Sequence, residues 1–556
     1  MLKIRLRLRP LPLTRMHLAR TLFSTSSTSN HLGIQDKPVY ITTPIFYVNA
    51  VPHIGHLYSA VLADTLKRYH ELHGRKVILS TGTDEHGMKI QQAAEKNKET
   101  PRELCDRVSQ RFRQLFDAGN ISYTTYIRTT DQQHAPAVAE LWNRLSANGS
   151  IYKGTHEGWY SVSDEAFYTQ NQVHEKIDEK TGEKYMASIE TGQRVEWTSE
   201  VNYKFRLSAY RDKLVGWLRE NPDAIVPPQR HREILSWLEA GTGDLSVSRP
   251  RARLDWGLPV PGDSEHTVYV WLDALTNYLT VTGFPSIQPP PSLPPQVHST
   301  NSAWPADVHI VGKDILRFHS VYWPAFLMAA GLPLPRKILA HAHWTMGRQK
   351  MSKSRGNVAD PFEVLEKFGV DAVRYYLIRD GGIADDGDYS EQTLGTVYKK
   401  ELAGQLGNLL NRATSSTLNP TGTVPALKSE VDERDRALHA KLEGLPASID
   451  NHFQSFDFSK AVRQIFDTIG EANKYFNDNA PWSLTEDTQR RDQVVGYALE
   501  SVRIAALLLQ PVMPGKMAEV LDCLGTKEED RVWDRAKLGA GGVRKVCVKK
   551  VVFPKL

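Results

Sequence analysis

At 556 residues, with 40% hydrophobic and 24% charged side chains, the chain has the composition of a folded multidomain protein, not a disordered one. No apolar run is long enough to cross a bilayer. Three scattered cysteines (Cys105, Cys523, Cys547) with no Cys-x-x-Cys pair exclude a disulfide framework and a thiolate metal knuckle, leaving reduced, unpaired thiols. Of the net charge of +5, residues 1–35 carry six positive charges and no acid, which leaves −1 on the remainder; any nucleic-acid surface must therefore come from local clustering.

That leader alternates arginine with leucine and then turns rich in serine and threonine. Acid-free and cationic, it reads as a mitochondrial presequence over 1–35, which would place the mature chain in the matrix; a disordered basic tail is the alternative. Pro38 to Thr43, rich in β-branched residues, predicts a buried strand. A helix is predicted to start around His53–His56, with Leu57, Val61, Leu62 and Leu66 at helical spacing. Lys76 to Ser80 is a second strand, entering the polar loop Gly82-Thr-Asp-Glu-His-Gly87. Strand, helix and strand make a βαβ unit, hence a parallel sheet whose ligands sit at the carboxyl ends of its strands.

Residues 36–149 are thus the first half of an α/β, Rossmann-type domain. Short strands and turns over 150–247 predict a small inserted connective subdomain. The α/β pattern returns over 248–345, through Thr267-Val-Tyr-Val-Trp-Leu-Asp-Ala and Asp307-Val-His-Ile-Val-Gly. Proline-dense Pro285–Gln296 is a surface excursion. Residues 346–395 form a glycine-flanked loop and linker. From 396 to 556 the stripes Leu402, Leu406, Leu409, Leu410 and Phe458, Val462, Ile465, Phe466, Ile469 predict an all-α helical bundle, with a third helix from Val494 to Leu509 stopped by Pro511 and Pro514.

Two motifs carry chemistry. His53-Ile-Gly-His56 sets two imidazoles at a helix N-terminus, where backbone N–H groups and the helix dipole already favour phosphate, and Gly55 lets a nucleotide approach the backbone. A pair of surface histidines is the bland alternative. Lys350-Met-Ser-Lys353-Ser sets two ammonium groups on a loop that can follow charge developing on a departing pyrophosphate. Its alternative is a solvated basic loop.

Together they resemble the two signatures of class I aminoacyl-tRNA synthetases. Thr43-Pro-Ile-Phe-Tyr-Val-Asn, Thr81-Gly-Thr-Asp-Glu-His-Gly, Val270-Trp-Leu-Asp-Ala, Gly312-Lys-Asp-Ile, Phe318-His-Ser-Val-Tyr-Trp-Pro and Asn479-Ala-Pro-Trp482 resemble the methionyl branch, from about residue 38 to beyond 510. The resemblance implies ATP-dependent methionylation of tRNA(Met), with Mg²⁺ accompanying ATP. It implies that Tyr47, Asp84, Trp271, Ala274, Tyr278, Ile315 and His319 line a methionine pocket, with Pro44 and Ile45 at its edge and Trp323 behind His319. Aromatic walls suit a thioether, and Asp84 suits the α-ammonium. Gly312 and Asp314 are implied at the ATP ribose, His341 and Trp344 at the adenine, and His53, His56, Lys350 and Lys353 at the transferring phosphate. No covalent enzyme intermediate is implied.

Trp482 is implied to stack on an anticodon base. Glu401 and Gln405 stand where the resemblance leads one to expect an asparagine and an arginine, and Asn408 and Arg412 are the nearby alternatives. Ser161 and Ser163 replace the zinc-binding cysteines of many relatives, so no structural zinc is expected. The insertion is too short for a hydrolytic editing domain. The chain ends soon after the bundle, which favours a monomer. Competing readings are a synthetase for cysteine, leucine, isoleucine or valine, a small nucleotidyltransferase with the same His-x-Gly-His motif, and a non-catalytic RNA-binding relative.

Overall fold

The computed structural model describes residues 37–162, 166–178, 181–285, 303–351, 359–547 and 551–555. The leader, Ser163, Lys353 and most of the proline-rich excursion lie outside these residues, as does the side chain of Lys350.

A six-stranded, all-parallel sheet organises the catalytic half. Its strands in chain order are β1 (Val39–Tyr47), β2 (Val77–Asp84), β3 (Thr125–Arg128), β4 (Ile225–Val226), β5 (Val308–Gly312) and β6 (Lys337–His341). Across the sheet they run β3-β2-β1-β5-β6-β4. Helices cover both faces, so the strands are near-continuous buried runs, as parallel sheets require. Helix α1 (Ile54–Leu72) crosses from β1 to β2 and buries Leu57, Val61, Leu62 and Leu66 against them.

Two elements differ from the sequence reading. Strand β1 does not stop near Thr43 but runs on to Tyr47, and its pairing with β2 shifts register between Thr42 and Ile45. Pro44 sits at that shift: without an N–H it cannot keep the ladder regular, and the irregularity re-aims the residues that follow. The span 150–247 is also not all insertion. Ile225 pairs in parallel with Ile338, so β4 is an edge strand of the main sheet, flanked in the chain by helices Arg211–Glu220 and Pro228–Glu239.

The inserted sheet itself is antiparallel. Ile151–Ser161 pairs with Arg194–Phe205 from Ile151↔Phe205 to Tyr160↔Glu196. Tyr168, Val173 and Val195 form its small apolar core, and Ser161, at the end of the first of these strands, is buried.

Helix α2 (Val270–Thr280) lies between the insertion and β5, and helix α3 (Val370–Asp380) leads towards the bundle. The bundle contains α4 (Arg436–Gln454), α5 (Phe458–Asp478), α6 (Thr488–Leu509) and α7 (Pro514–Cys523). Its predicted leucine stripe, Leu402 to Leu410, is fully buried. The C-terminal segment then folds back: Thr423 bridges Lys545, and the Tyr398 hydroxyl donates to the Pro554 carbonyl at 2.7 Å. This return brings Cys547 beside Cys523, its N–H donating to the Cys523 carbonyl at 2.8 Å, so these two cysteines, distant in sequence, are neighbours in space. Among the described residues no helix is long and apolar enough to cross a membrane.

Candidate active site

The carboxyl ends of β1, β2, β5 and β6 converge, with the N-termini of α1 and α2, on a cavity of about 390 Å³. Sixteen of the residues singled out from the sequence line it: Pro44, Ile45, Tyr47, His53, Gly55, His56, Asp84, Trp271, Ala274, Tyr278, Gly312, Asp314, Ile315, His319, His341 and Trp344. Lys353 lies outside the described residues. Lys350 ends the short strand Gln349–Lys350 near the cavity's Met351, and its side chain is likewise undescribed.

At the start of α1 the two imidazoles are held by the backbone. Gly55 N–H donates to His53 Nδ1 at 3.1 Å, and His53 N–H donates to His56 Nδ1 at 3.0 Å, a reciprocal cap made from histidine. With both Nδ1 atoms accepting, each neutral ring carries its proton on Nε2. The rings lie 3.8 Å apart. A Cβ on Gly55 would stand 2.9 Å from the His53 ring, so glycine here admits the capping imidazole itself.

Another part of the cavity's lining is aromatic. Trp271 stacks on Phe318 at 3.6 Å between ring centroids. His319 lies in a turn of π-helix, Phe318–Tyr322, a wide turn common at functional sites. Its Nδ1–H donates to the Ile315 carbonyl at 2.9 Å, so its Nε2 accepts from the Tyr278 hydroxyl at 2.7 Å. Burial pushes His319 down to about 4, and it is neutral at physiological pH. Behind Tyr278, the His309 ring lies 4.3 Å away and bonds Thr42 Oγ1 at 2.7 Å; burial holds it well below the usual range too. Trp323 is fully buried, 6.1 Å from the Tyr278 ring.

Asp84 is aimed by its neighbours. Glu85 turns away to a two-bonded ion pair with Arg128 (2.7 and 2.9 Å), and His86 turns to Asp273 at 2.6 Å. That leaves the residue between strand end and loop facing the cavity.

On the other side, Asp314 Oδ1 takes a hydrogen bond from His343 Nε2 at 3.0 Å, and a Cβ on Gly312 would stand 2.6 Å from the same oxygen. His341 donates from Nδ1 to the Ala342 carbonyl (2.8 Å) and accepts at Nε2 from Ser59 (2.8 Å), with burial pushing it down to about 4. What it offers the cavity is ring surface, beside buried Trp344. Sequence reasoning missed Lys89, whose ammonium lies 5.4 Å over the Tyr47 ring, and the lining residues Asn277 and His343. Each is a lone polar residue outside the quoted motifs. Asn277, between Ala274 and Tyr278, and His343, between His341 and Trp344, each lie between residues already singled out; Lys89 had no such signal.

In the bundle, Trp482 stands half exposed (50%) on a tight turn whose preceding residue, Ala480, has a φ of 39°. Arg412 lies 5.4 Å from the Trp482 ring, also covers Phe476, and bonds Asn477 Oδ1 at 2.8 Å. Asn408 is exposed on the same helix as Arg412. Glu401 is engaged within the protein, locked to Arg379 (2.6 and 2.7 Å) and the Tyr375 hydroxyl.

Residues 39–414 match the family described as class I tRNA synthetases (M), and residues 424–555 match the anticodon binding domain of methionyl tRNA ligase. The chain belongs to the methionyl-tRNA synthetase family. As such it is a class I synthetase and a methionine–tRNA ligase. A probable mitochondrial methionine–tRNA ligase of Neurospora crassa is 44% identical over 532 residues, covering 93% of this chain and 84% of that protein. The human mitochondrial methionine–tRNA ligase is 44% identical over 530 residues, covering 92% and 87%. The crystal structure of the Mycobacterium tuberculosis methionyl-tRNA synthetase bound by methionyl-adenylate superposes with a TM-score of 0.86 at 42% identity, covering 93% of this chain and all of that one. Among the described residues of this synthetase, no group of three or more His, Cys, Asp or Glu side chains could hold a metal ion.

Proposed function

We propose that the cavity is where this synthetase joins methionine to ATP, forming methionyl-adenylate and pyrophosphate before transfer to tRNA(Met). The observation that carries the reading is one cavity lined both by an aromatic group, Trp271, Tyr278 and His319, and by the polar residues His53, His56 and Asp314. Trp271, Tyr278, Ile315 and His319, with Ala274 and Tyr47, take the thioether side chain; Pro44 and Ile45 edge it, and Asp84 binds the α-ammonium. Aromatic faces attract a polarisable sulfur. A neutral His319 that accepts a hydrogen bond from the Tyr278 hydroxyl adds no buried charge beside it.

ATP enters as its Mg²⁺ complex at the polar residues. Gly312 and Asp314 meet the ribose, and His341 and Trp344 the adenine. His53 and His56 present Nε2–H donors where charge builds on the α-phosphate during in-line attack, and Lys350 and Lys353 follow the pyrophosphate as it leaves. The work is positioning and electrostatic stabilisation. Trp482, supported by Arg412 and with Asn408 nearby, stacks on an anticodon base. The enzyme acts as a monomer in the mitochondrial matrix, delivered by residues 1–35.

ATP–pyrophosphate exchange across amino acids tests the specificity. Exchange is expected with methionine and to vanish with EDTA; strong exchange with cysteine, leucine, isoleucine or valine and none with methionine overturns it.

A further inference from the structure

Asp273 has no part in the binding roles above, yet it is a carboxylate buried between two imidazoles. Its Oδ2 accepts from His86 Nδ1 at 2.6 Å and its Oδ1 from His134 Nε2 at 2.8 Å. His134 Nδ1 reaches Thr280 Oγ1 at 2.9 Å, one end of α2. Burial works against the charged carboxylate, and the two imidazoles outweigh it, holding Asp273 down to about 2. A well-packed apolar residue would hold a helix in place without desolvating a charge.

Placement explains what the charge does. Asp273 lies between Trp271 and Ala274 on α2, less than two turns before Tyr278, so it moves with the aromatic wall. His86 lies two residues past Asp84, so it moves with the opposite wall. Their short bond ties the loop that follows β2 to α2, next to residues that line the cavity.

We propose that Asp273, acting through His86, is a positioning residue for amino-acid recognition, setting the separation between Asp84 and the Trp271–Tyr278 wall. This rests on the reading of those residues as the methionine site. A bond serving stability alone would, when lost, lower the amount of folded enzyme and leave the methionine KM unchanged.

The test is pyrophosphate exchange with full-length His86→Ala and His86→Asn, whose Nδ2–H replaces the imidazole Nδ1–H, and with Asp84→Asn as reference. His86→Ala is expected to raise the methionine KM roughly tenfold with the ATP KM unchanged, since small displacements of positioned groups are costly. His86→Asn is expected to recover most of that loss. Should His86→Ala not fold, isosteric Asp273→Asn, which sets an amide N–H against an imidazole N–H, is expected to raise the methionine KM likewise. A methionine KM left at the wild-type value by these variants while Asp84→Asn raises it overturns the positioning role alone. Recovery by His86→Asn no better than His86→Ala also overturns it. An unchanged KM in Asp84→Asn as well overturns the reading of the cavity.

Discussion

Histidine does several different jobs in this molecule, and hydrogen-bond geometry separates them. His53 and His56 accept at Nδ1 from backbone N–H groups and line the cavity. His319 and His341 are spent inside the protein, each donating to a carbonyl, and burial lowers both to about 4. An unfolded histidine titrates near 6.5, so between about pH 6.5 and 4 the unfolded chain binds protons that the folded chain refuses. The stability these two residues permit is therefore full above about pH 6.5 and falls as pH drops towards 4. From those values each contributes a loss of about 2 kcal/mol on going from neutral pH to about pH 5. His319→Gln should shrink the difference between urea midpoints at about pH 7.5 and about pH 5. An undiminished difference would show that His319 is not the group resisting protonation.

At the scale of elements, motif-bearing segments were legible in the sequence and short or irregular ones were not. The leucine stripe from Leu402, the heptad-like run from Phe458 and the start of α1 at His53 were readable because periodicity and end signals agree over many residues. Strand β4, two residues long, has no periodicity to read, and its place in the main sheet comes from its pairing with β6. Strand β1 was predicted too short because Pro44 signals a strand end in sequence, whereas here it marks a register shift within one. Most aromatic and polar residues of the cavity were found through the family resemblance; Lys89, alone in its segment, was found only through the fold.

Trp482 belongs to this scale as well. Asn479 Oδ1 accepts from Arg490 at 2.6 Å, and Arg490 pairs with buried Asp435, so the turn carrying the indole is fixed from below. Trp482→Ala should raise the tRNA KM in aminoacylation by roughly tenfold or more, the loss of one base-stacking contact, and leave pyrophosphate exchange near wild type. A collapse of exchange would make the residue structural.

Across the whole molecule, one helix joins the two halves. Helix α1 begins at the paired histidines and, 19 residues later, ends against the bundle. There Tyr69 donates to Asp450 at 2.6 Å, and His73 stacks on Trp533. Beside it, fully buried Arg374 of α3 pairs with Asp64 of α1 at 2.6 Å and donates to the carbonyls of Pro511 and Val512. Removing one partner of a buried pair strands the other, so Arg374→Met should cost about 3 kcal/mol, part of the usual penalty being relieved by Arg68. Thermal unfolding checks this; an unchanged melting temperature would mean that the junction tolerates the loss.

The central claim is that a single cavity binds methionine and ATP, remote from Trp482. It is tested most directly by calorimetric titration of a non-hydrolysable methionyl-adenylate analogue into wild type, Tyr278→Phe and Trp482→Ala. One site per chain is expected, weakened roughly tenfold in Tyr278→Phe through loss of the hydroxyl that donates to His319, and unaltered in Trp482→Ala. Wild-type affinity in Tyr278→Phe together with lost binding in Trp482→Ala would contradict the account.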